Sequence, residues 1–205
     1  MPMGRLLLAI GLCFLACELK AQRYAFDEGS IRLTLSVNYA NYGGELYQPN
    51  LTARIESDRI TELVIRPNIA YFFFERFALG LDLSYATIAQ NDRNNVVTLF
   101  SRSTWSVGAS MMYVFGERQD PVFPFLSTSY AYQRSSDQEF ESGRNLRSTG
   151  TTLRFSGGMA IMFGKQASLN LEAFYRVDQR RVQQRRQSAS GNVLGLEVGA
   201  SLFIF

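Results

Sequence analysis

Nine charged residues stand where charge is costly. Arg32, Arg66, Arg102, Arg154 and Arg176, with Glu62, Asp82, Glu172 and Glu197, each fall within a run whose alternate residues are apolar. Guanidinium forks and carboxylates at close range can pair with one another, line an ion path, or work as an acid–base couple. The last has little support. The chain contains no histidine, which excludes Ser/His/Asp catalysis, and no spacing singles out a carboxylate pair. Both cysteines, Cys13 and Cys17, lie close to the N-terminus, ahead of these residues. Metal sites therefore lose their commonest nitrogen and sulfur ligands. No catalytic residue, metal or cofactor is expected.

The elements that must position these charges are strands. In Ile31-Arg32-Leu33-Thr34-Leu35-Ser36-Val37-Asn38-Tyr39 the odd residues are apolar and the even ones polar. A period of two belongs to an extended strand with different surroundings on its two faces. The pattern recurs near 30–40, 59–73, 78–89, 96–115, 121–134, 149–163, 167–178 and 192–204. The connections alternate in length: long at 41–58, short at 74–77, medium at 90–95, short at 116–120, long at 135–148, short at 164–166, long at 179–191. This alternation distinguishes the two rims of an eight-stranded antiparallel up-and-down transmembrane β-barrel, with tight turns in the periplasm and long loops outside. The segment 96–115 exceeds the 9–11 or so tilted residues that cross a bilayer, so strands 4 and 5 are expected to extend outward as a ribbon.

One face carries Leu33, Leu35, Ile65, Ile69, Leu81, Met111, Leu126, Met159, Leu171 and Val198. The other carries Ser36, Asn38, Asn68, Gly80, Ser110, Ser127, Ser156, Gly158 and Asn170, with the nine charges among them. Small residues suit the crowded lumen of an eight-strand barrel. The apolar face has no lysine, and one at the bilayer midplane would cost about 2–4 kcal/mol. Aromatics on the apolar phase fall at two heights. Tyr39, Tyr85, Trp105, Tyr130, Tyr132, Phe155 and Tyr175 lie toward the long loops, and Tyr71, Phe73, Phe77, Tyr113, Phe115 and Phe163 toward the short turns. Two such girdles match the two interfaces of a membrane. The charges inside would form an Arg–carboxylate network, with Glu197 near the level of Arg66, Arg154 and Arg176, and Asp82 and Glu172 lower.

The start reads as a leader. Arg5 precedes an apolar run from Leu6 to Ala16, and cleavage is expected after Ala21, which makes 1–21 a signal peptide and 22–205 the barrel. The alternative is lipoprotein processing at Cys17. Of 21 basic and 18 acidic residues, Arg5, Lys20 and Glu18 go with the leader, leaving a net charge of +2. That balance implies no nucleic-acid partner.

Ile65-Arg66-Pro67-Asn68-Ile69-Ala70-Tyr71-Phe72, Phe77-Ala78-Leu79-Gly80-Leu81-Asp82-Leu83-Ser84-Tyr85 and Pro124-Phe125-Leu126-Ser127-Thr128-Ser129-Tyr130-Ala131-Tyr132 resemble the small outer-membrane β-barrel family of Bacteroidetes-type bacteria, related in architecture to the OmpA transmembrane domain and OmpX. The resemblance implies an integral outer-membrane protein with both termini periplasmic, inserted by the barrel-assembly machinery. It also implies a proline at the place of Pro67, where a bulge is expected because proline removes a ladder donor. Barrel enzymes such as lipid A deacylase, phospholipase and omptin use a histidine, and this chain has none. Barrels of this kind end in an aromatic, as does this one at Phe205. Yet Phe203 and Phe205 sit out of phase with the apolar face of the last strand. Either a bulge near Ser201 shifts the phase, or these rings point inward at the mouth.

The last loop carries Arg180, Arg181, Arg185 and Arg186. Arginine forks bind phosphate, so these four are candidates to grip lipopolysaccharide. The reading is a monomeric barrel with a structural or surface-interaction role, in contact with outer-membrane lipid and lipopolysaccharide. A narrow gated pore is the alternative, and a secreted soluble barrel binding a small apolar ligand the third.

Overall fold

The structure, a computed structural model, describes residues 24–44, 59–91, 98–118, 120–139, 144–182 and 187–205. The expected leader, and with it Cys13 and Cys17, lies outside the described residues. Eight strands follow in chain order: β1 Ile31–Gly44, β2 Arg59–Phe74, β3 Phe77–Asn91, β4 Thr98–Val114, β5 Val122–Glu139, β6 Arg144–Phe163, β7 Ala167–Val182 and β8 Gln187–Ile204. Each pairs antiparallel with its sequence neighbour, and β1 pairs with β8 from Ile31↔Ile204 to Gly44↔Gly191, closing the barrel. Closure gives every strand a partner on both sides, as crossing hydrocarbon requires, with the β1–β2 pairing confined to Ile31–Val37 against Tyr71–Ile65.

The period-two pattern sorts the side chains as expected. Leu35 is 57% exposed, Ile69 50%, Leu81 47% and Leu171 39%, all on the outside. An apolar face this continuous is foreign to a water-soluble protein. It excludes the soluble barrel with an apolar interior, and hydrocarbon is its natural solvent. Inside, small residues make room: at Gly158 a Cβ would lie 2.9 Å from Phe125 Cζ. Leu81 lies midway between the aromatics Phe77 and Tyr85 along β3. Leu81→Arg is expected to cost about 2–4 kcal/mol of stability, read as a lower urea midpoint of the vesicle-embedded protein. An unchanged midpoint would place Leu81 in water.

Three local expectations are corrected or decided. The segments 135–148 and 179–191, read as polar loops, are mostly strand: β5 runs to Glu139, β6 starts at Arg144, β7 runs to Val182 and β8 starts at Gln187. The ribbon expected for strands 4 and 5 thus extends to β6, β7 and β8. No bulge forms at Pro67. The β1 ladder passes through Leu35↔Pro67 unbroken, and the β2–β3 register is the same at Ile65↔Tyr85 and Asn68↔Asp82, on either side of the skipped Arg66 and Pro67. The missing donor costs a local interruption and shifts nothing. A register shift occurs instead between Phe72 and Phe74, beside the Glu75-Arg76 turn, where Arg76 takes a φ of 68°. Pairing along β8 is regular through Ser201 on both sides, so the last aromatics point inward: Phe203 is 3% exposed.

The segment Tyr24–Ser30, ahead of β1, crosses the short-turn mouth. Phe26 inserts among Phe72, Phe123 and Phe203, with ring centroids at 5.7, 4.7 and 5.1 Å. The Gly29 and Arg76 N–H groups donate to the Phe72 and Phe26 carbonyls, and the Phe72 N–H to the Ser30 carbonyl. Arg118 holds Asp27 at 3.2 Å. A cleft of about 290 Å³ remains beside this segment, lined by Tyr24, Phe26, Arg118, Phe123 and Met162 among others.

Candidate functional site

All nine expected lumen charges lie in the interior phase, and five of them meet. Glu197 on β8 is the hub. Its Oε1 accepts from Ser36 Oγ at 2.6 Å and from Arg66 Nη1 at 3.0 Å, and its Oε2 accepts from Arg154 Nη1 at 2.8 Å. Arg66 Nε donates to Asp82 Oδ1 at 2.8 Å, and Arg154 Nη2 to Glu172 Oε1 at 2.6 Å. Arg66 also faces Glu172 at 3.8 Å. These residues come from β1, β2, β3, β6, β7 and β8, so the network crosses the lumen rather than following a ladder. The guanidinium of Arg154 also rests 3.9 Å from the centre of the Phe174 ring, an electrostatic contact with its face.

Strand neighbours alone would make this arrangement unfavourable. Glu172 lies opposite Glu197, and Arg154 opposite Arg176; like charges so placed repel. Relief comes from the far wall, where side chains of opposite sign reach across. Asp82, Glu172 and Glu197 are held by Arg66 and Arg154. Arg32 is 7% exposed, and its Nε donates to Ser201 Oγ at 3.0 Å. A pocket of about 30 Å³ lies beside the network, room for about one water.

A second tier lies nearer the long-loop end. Arg176 Nε donates to Asp178 Oδ2 at 3.1 Å, and its Nη2 faces Glu62 Oε1 at 3.9 Å across the barrel. The sequence reading set Arg176 level with Glu197; it belongs instead to this upper tier, because strand tilt offsets residues that seem level when counted from the turns. Arg102, half-buried in the interior phase, lies opposite Ile88 and Asp137. Asp178 was missed, though continuing the alternation of β7 by one step past Arg176 reaches it. Ser36 and Phe174 were missed as partners, since neither carries charge.

The outer face holds the aromatics in two belts. Trp105 is 65% exposed, and Tyr130, Tyr132, Phe155 and Tyr175 are exposed with it toward the long-loop end; Tyr85 is half-buried against Trp105 at 4.4 Å. Tyr71, Phe73, Tyr113, Phe115 and Phe163 are exposed at the short-turn end, with Tyr71–Phe73 and Tyr113–Phe115 meeting edge to face at 4.7 and 4.9 Å. The side chain of Tyr39 lies outside the described residues. Of the four arginines read as a loop cluster, Arg180 is corrected: it lies on β7 in the interior phase, 4% exposed, turned away from the rim. Arg181 is exposed on the outer wall. Arg185 and Arg186 lie outside the described residues.

No protein-family model matches the chain, and no curated protein matches it. Solved structures do. Neisserial surface protein A (NspA) is 18% identical over 85% of this chain and 99% of its own, with a TM-score of 0.57. The outer membrane protein OprG from Pseudomonas aeruginosa is 11% identical over 88% of this chain and 98% of its own, with a TM-score of 0.55. Outer membrane protein AlkL, solved in DMPC lipid bilayers, is 13% identical over 88% of this chain and 90% of its own, with a TM-score of 0.50. At such identities the likeness is one of fold. The chain has the closed, eight-stranded, all-antiparallel fold of small transmembrane outer-membrane barrels; the finer resemblance to a Bacteroidetes-type family has no match behind it.

Proposed function

We propose that the protein is an integral outer-membrane barrel that serves the envelope as a structural and surface-interaction element and is closed to solutes. The observation that carries this reading is the Glu197 network, which joins six strands across the lumen and leaves about 30 Å³ beside it. A narrow interior filled by paired side chains is a core rather than a channel. The reading includes removal of residues 1–21, a monomeric state, insertion by the barrel-assembly machinery, and both termini in the periplasm. The short turns and the Tyr24–Ser30 segment sharing one mouth support that orientation. Outer-membrane fractionation, heat-modifiable gel migration and planar-bilayer recording test it together. The expected result is an outer-membrane band whose migration shifts on boiling, with no steady conductance.

The narrow gated pore keeps one observation in its favour. Arg66 faces three carboxylates, Asp82, Glu172 and Glu197, so its pairings can be exchanged without leaving it unpaired. If the native chain conducts, Glu197→Gln combined with Arg66→Gln is expected to raise the current. Currents untouched by that pair would remove the gate.

A further inference from the structure

We propose that Arg134, Arg147 and Arg181 form a site on the outer wall for the phosphate groups of a phosphorylated glycolipid in the outer leaflet. The inference rests on the outer-membrane reading and names what the surface holds. Among strand positions whose side chains the structure describes, these three are the only charged residues in the exterior phase. None is acidic, and all three lie at the long-loop end.

Their register makes them one group. Arg134 on β5 lies opposite Thr149 on β6, and Thr149 lies opposite Arg181 on β7. Arg147 stands two residues before Thr149 on β6, on the same face and diagonal to both. Neighbouring strands run about 4.8 Å apart, which separates the Arg134 and Arg181 backbones by about 10 Å. Diagonal neighbours are about 7–8 Å apart. Three guanidiniums on long stems around Thr149 can therefore converge on one headgroup. With no carboxylate among the described exterior positions of the strands, their mutual repulsion is relieved by an outside anion. The flanking exterior residues, Ser136, Gln179 and Ser188, add neutral donors.

Depth decides which anion. Trp105 lies opposite Arg134, and Tyr132 and Tyr130 follow below it on β5, both exposed. Such a belt marks the headgroup level. The three arginines stand at its upper edge, where the phosphates of a glycolipid lie when its acyl chains cover the apolar wall. A guanidinium fork takes phosphate by paired hydrogen bonds. A soluble acidic partner would need no such alignment with the belt.

The full-length protein is refolded into phosphatidylcholine vesicles doped with diphosphorylated lipid A, extracted in mild detergent and weighed by native mass spectrometry. Parallel vesicles carry dephosphorylated lipid A or phosphatidylglycerol, and a further arm adds a soluble sulfated polysaccharide. The native chain is expected to retain diphosphorylated lipid A above the other three. Arg134→Gln/Arg147→Gln/Arg181→Gln is expected to lower that retention at least about tenfold, the effect of losing one good charged contact. The matching triple Lys variant is expected to keep an intermediate share, and Arg147→Gln alone gives the same direction should the triple variant not refold. Equal retention by the Gln variant overturns the site. So does equal retention of dephosphorylated lipid A or phosphatidylglycerol, or a preference for the polysaccharide. A native chain that shows no heat-modifiable band in vesicles would instead overturn the barrel reading beneath it.

Discussion

Replacing Glu197 by alanine is expected to destabilise the barrel by about 3–5 kcal/mol, the usual cost of breaking a buried ion pair from one side. The carboxylate is 4% exposed and answers two guanidiniums, Arg66 and Arg154, from opposite walls. Without it Arg66 keeps Asp82 at 2.8 Å and the longer contact to Glu172 at 3.8 Å, and Arg154 keeps Glu172 alone. The Ser36 hydroxyl also loses its acceptor. Urea unfolding in vesicles is the measurement, followed by the fluorescence of Trp105. The chain has one tryptophan, and it lies on the outer wall, so loss of the membrane environment reads directly. The slope against urea is expected to stay constant while the midpoint falls. Replacing all five charged members by apolar residues of similar volume is expected to cost far less than the single change, because an apolar core often matches a buried ion network. If Glu197→Ala leaves the midpoint where it was, the network is not a brace.

The second large effect is expected at the other end of the lumen. Phe26→Ala should cost about 3–5 kcal/mol, as large-to-small changes at packed aromatic positions do. The ring is 5% exposed and touches three others, and no strand would slide to fill its place. The segment that carries it is tied by backbone bonds to Phe72 and Arg76 and by the Asp27–Arg118 pair. Loss of the ring is therefore expected to free the segment as well. Limited proteolysis of the vesicle-embedded variant should cut near Tyr24, while the strands stay protected. A variant as resistant as the native chain, with an unchanged urea midpoint, would reduce Phe26 to surface decoration.

These two sites differ in how far the residues announced them. Glu197 could be found in the sequence, because a carboxylate in the polar phase of an apolar strand has only the lumen to enter. Its partners could not all be found. Arg66 and Arg154 meet Glu197, Arg176 pairs with Asp178 instead although it lies opposite Arg154, and Asp82 and Glu172, expected lower, join the same network. Phe26 could not be found at all. It stands in a stretch too short to show a period, between the expected leader and β1, and its neighbours Phe72, Phe123 and Phe203 come from three distant places in the chain. The polar ribbons failed for a related reason. Above the aromatic belt the outward residues of β5 and β6, such as Arg134, Ser136 and Arg147, are as polar as the buried inward ones, such as Ser135 and Ser148, so no apolar alternation marks the strand and it resembles loop.

What the order of residues determined by itself was the side each strand residue faces. A pleated backbone sends successive side chains to opposite faces, and only one of those faces can meet hydrocarbon. That rule alone sent Leu81 and Leu171 outward and Asp82 and Glu172 inward, and it counted the strands. Which charges join, where the ribbons end, that Arg180 turns in while Arg181 turns out above the aromatic belt, and that Phe26 closes the mouth were decided by tertiary structure. Those outcomes depend on tilt and stagger between strands far apart in the chain, and closure of the barrel, not any local run of residues, sets both.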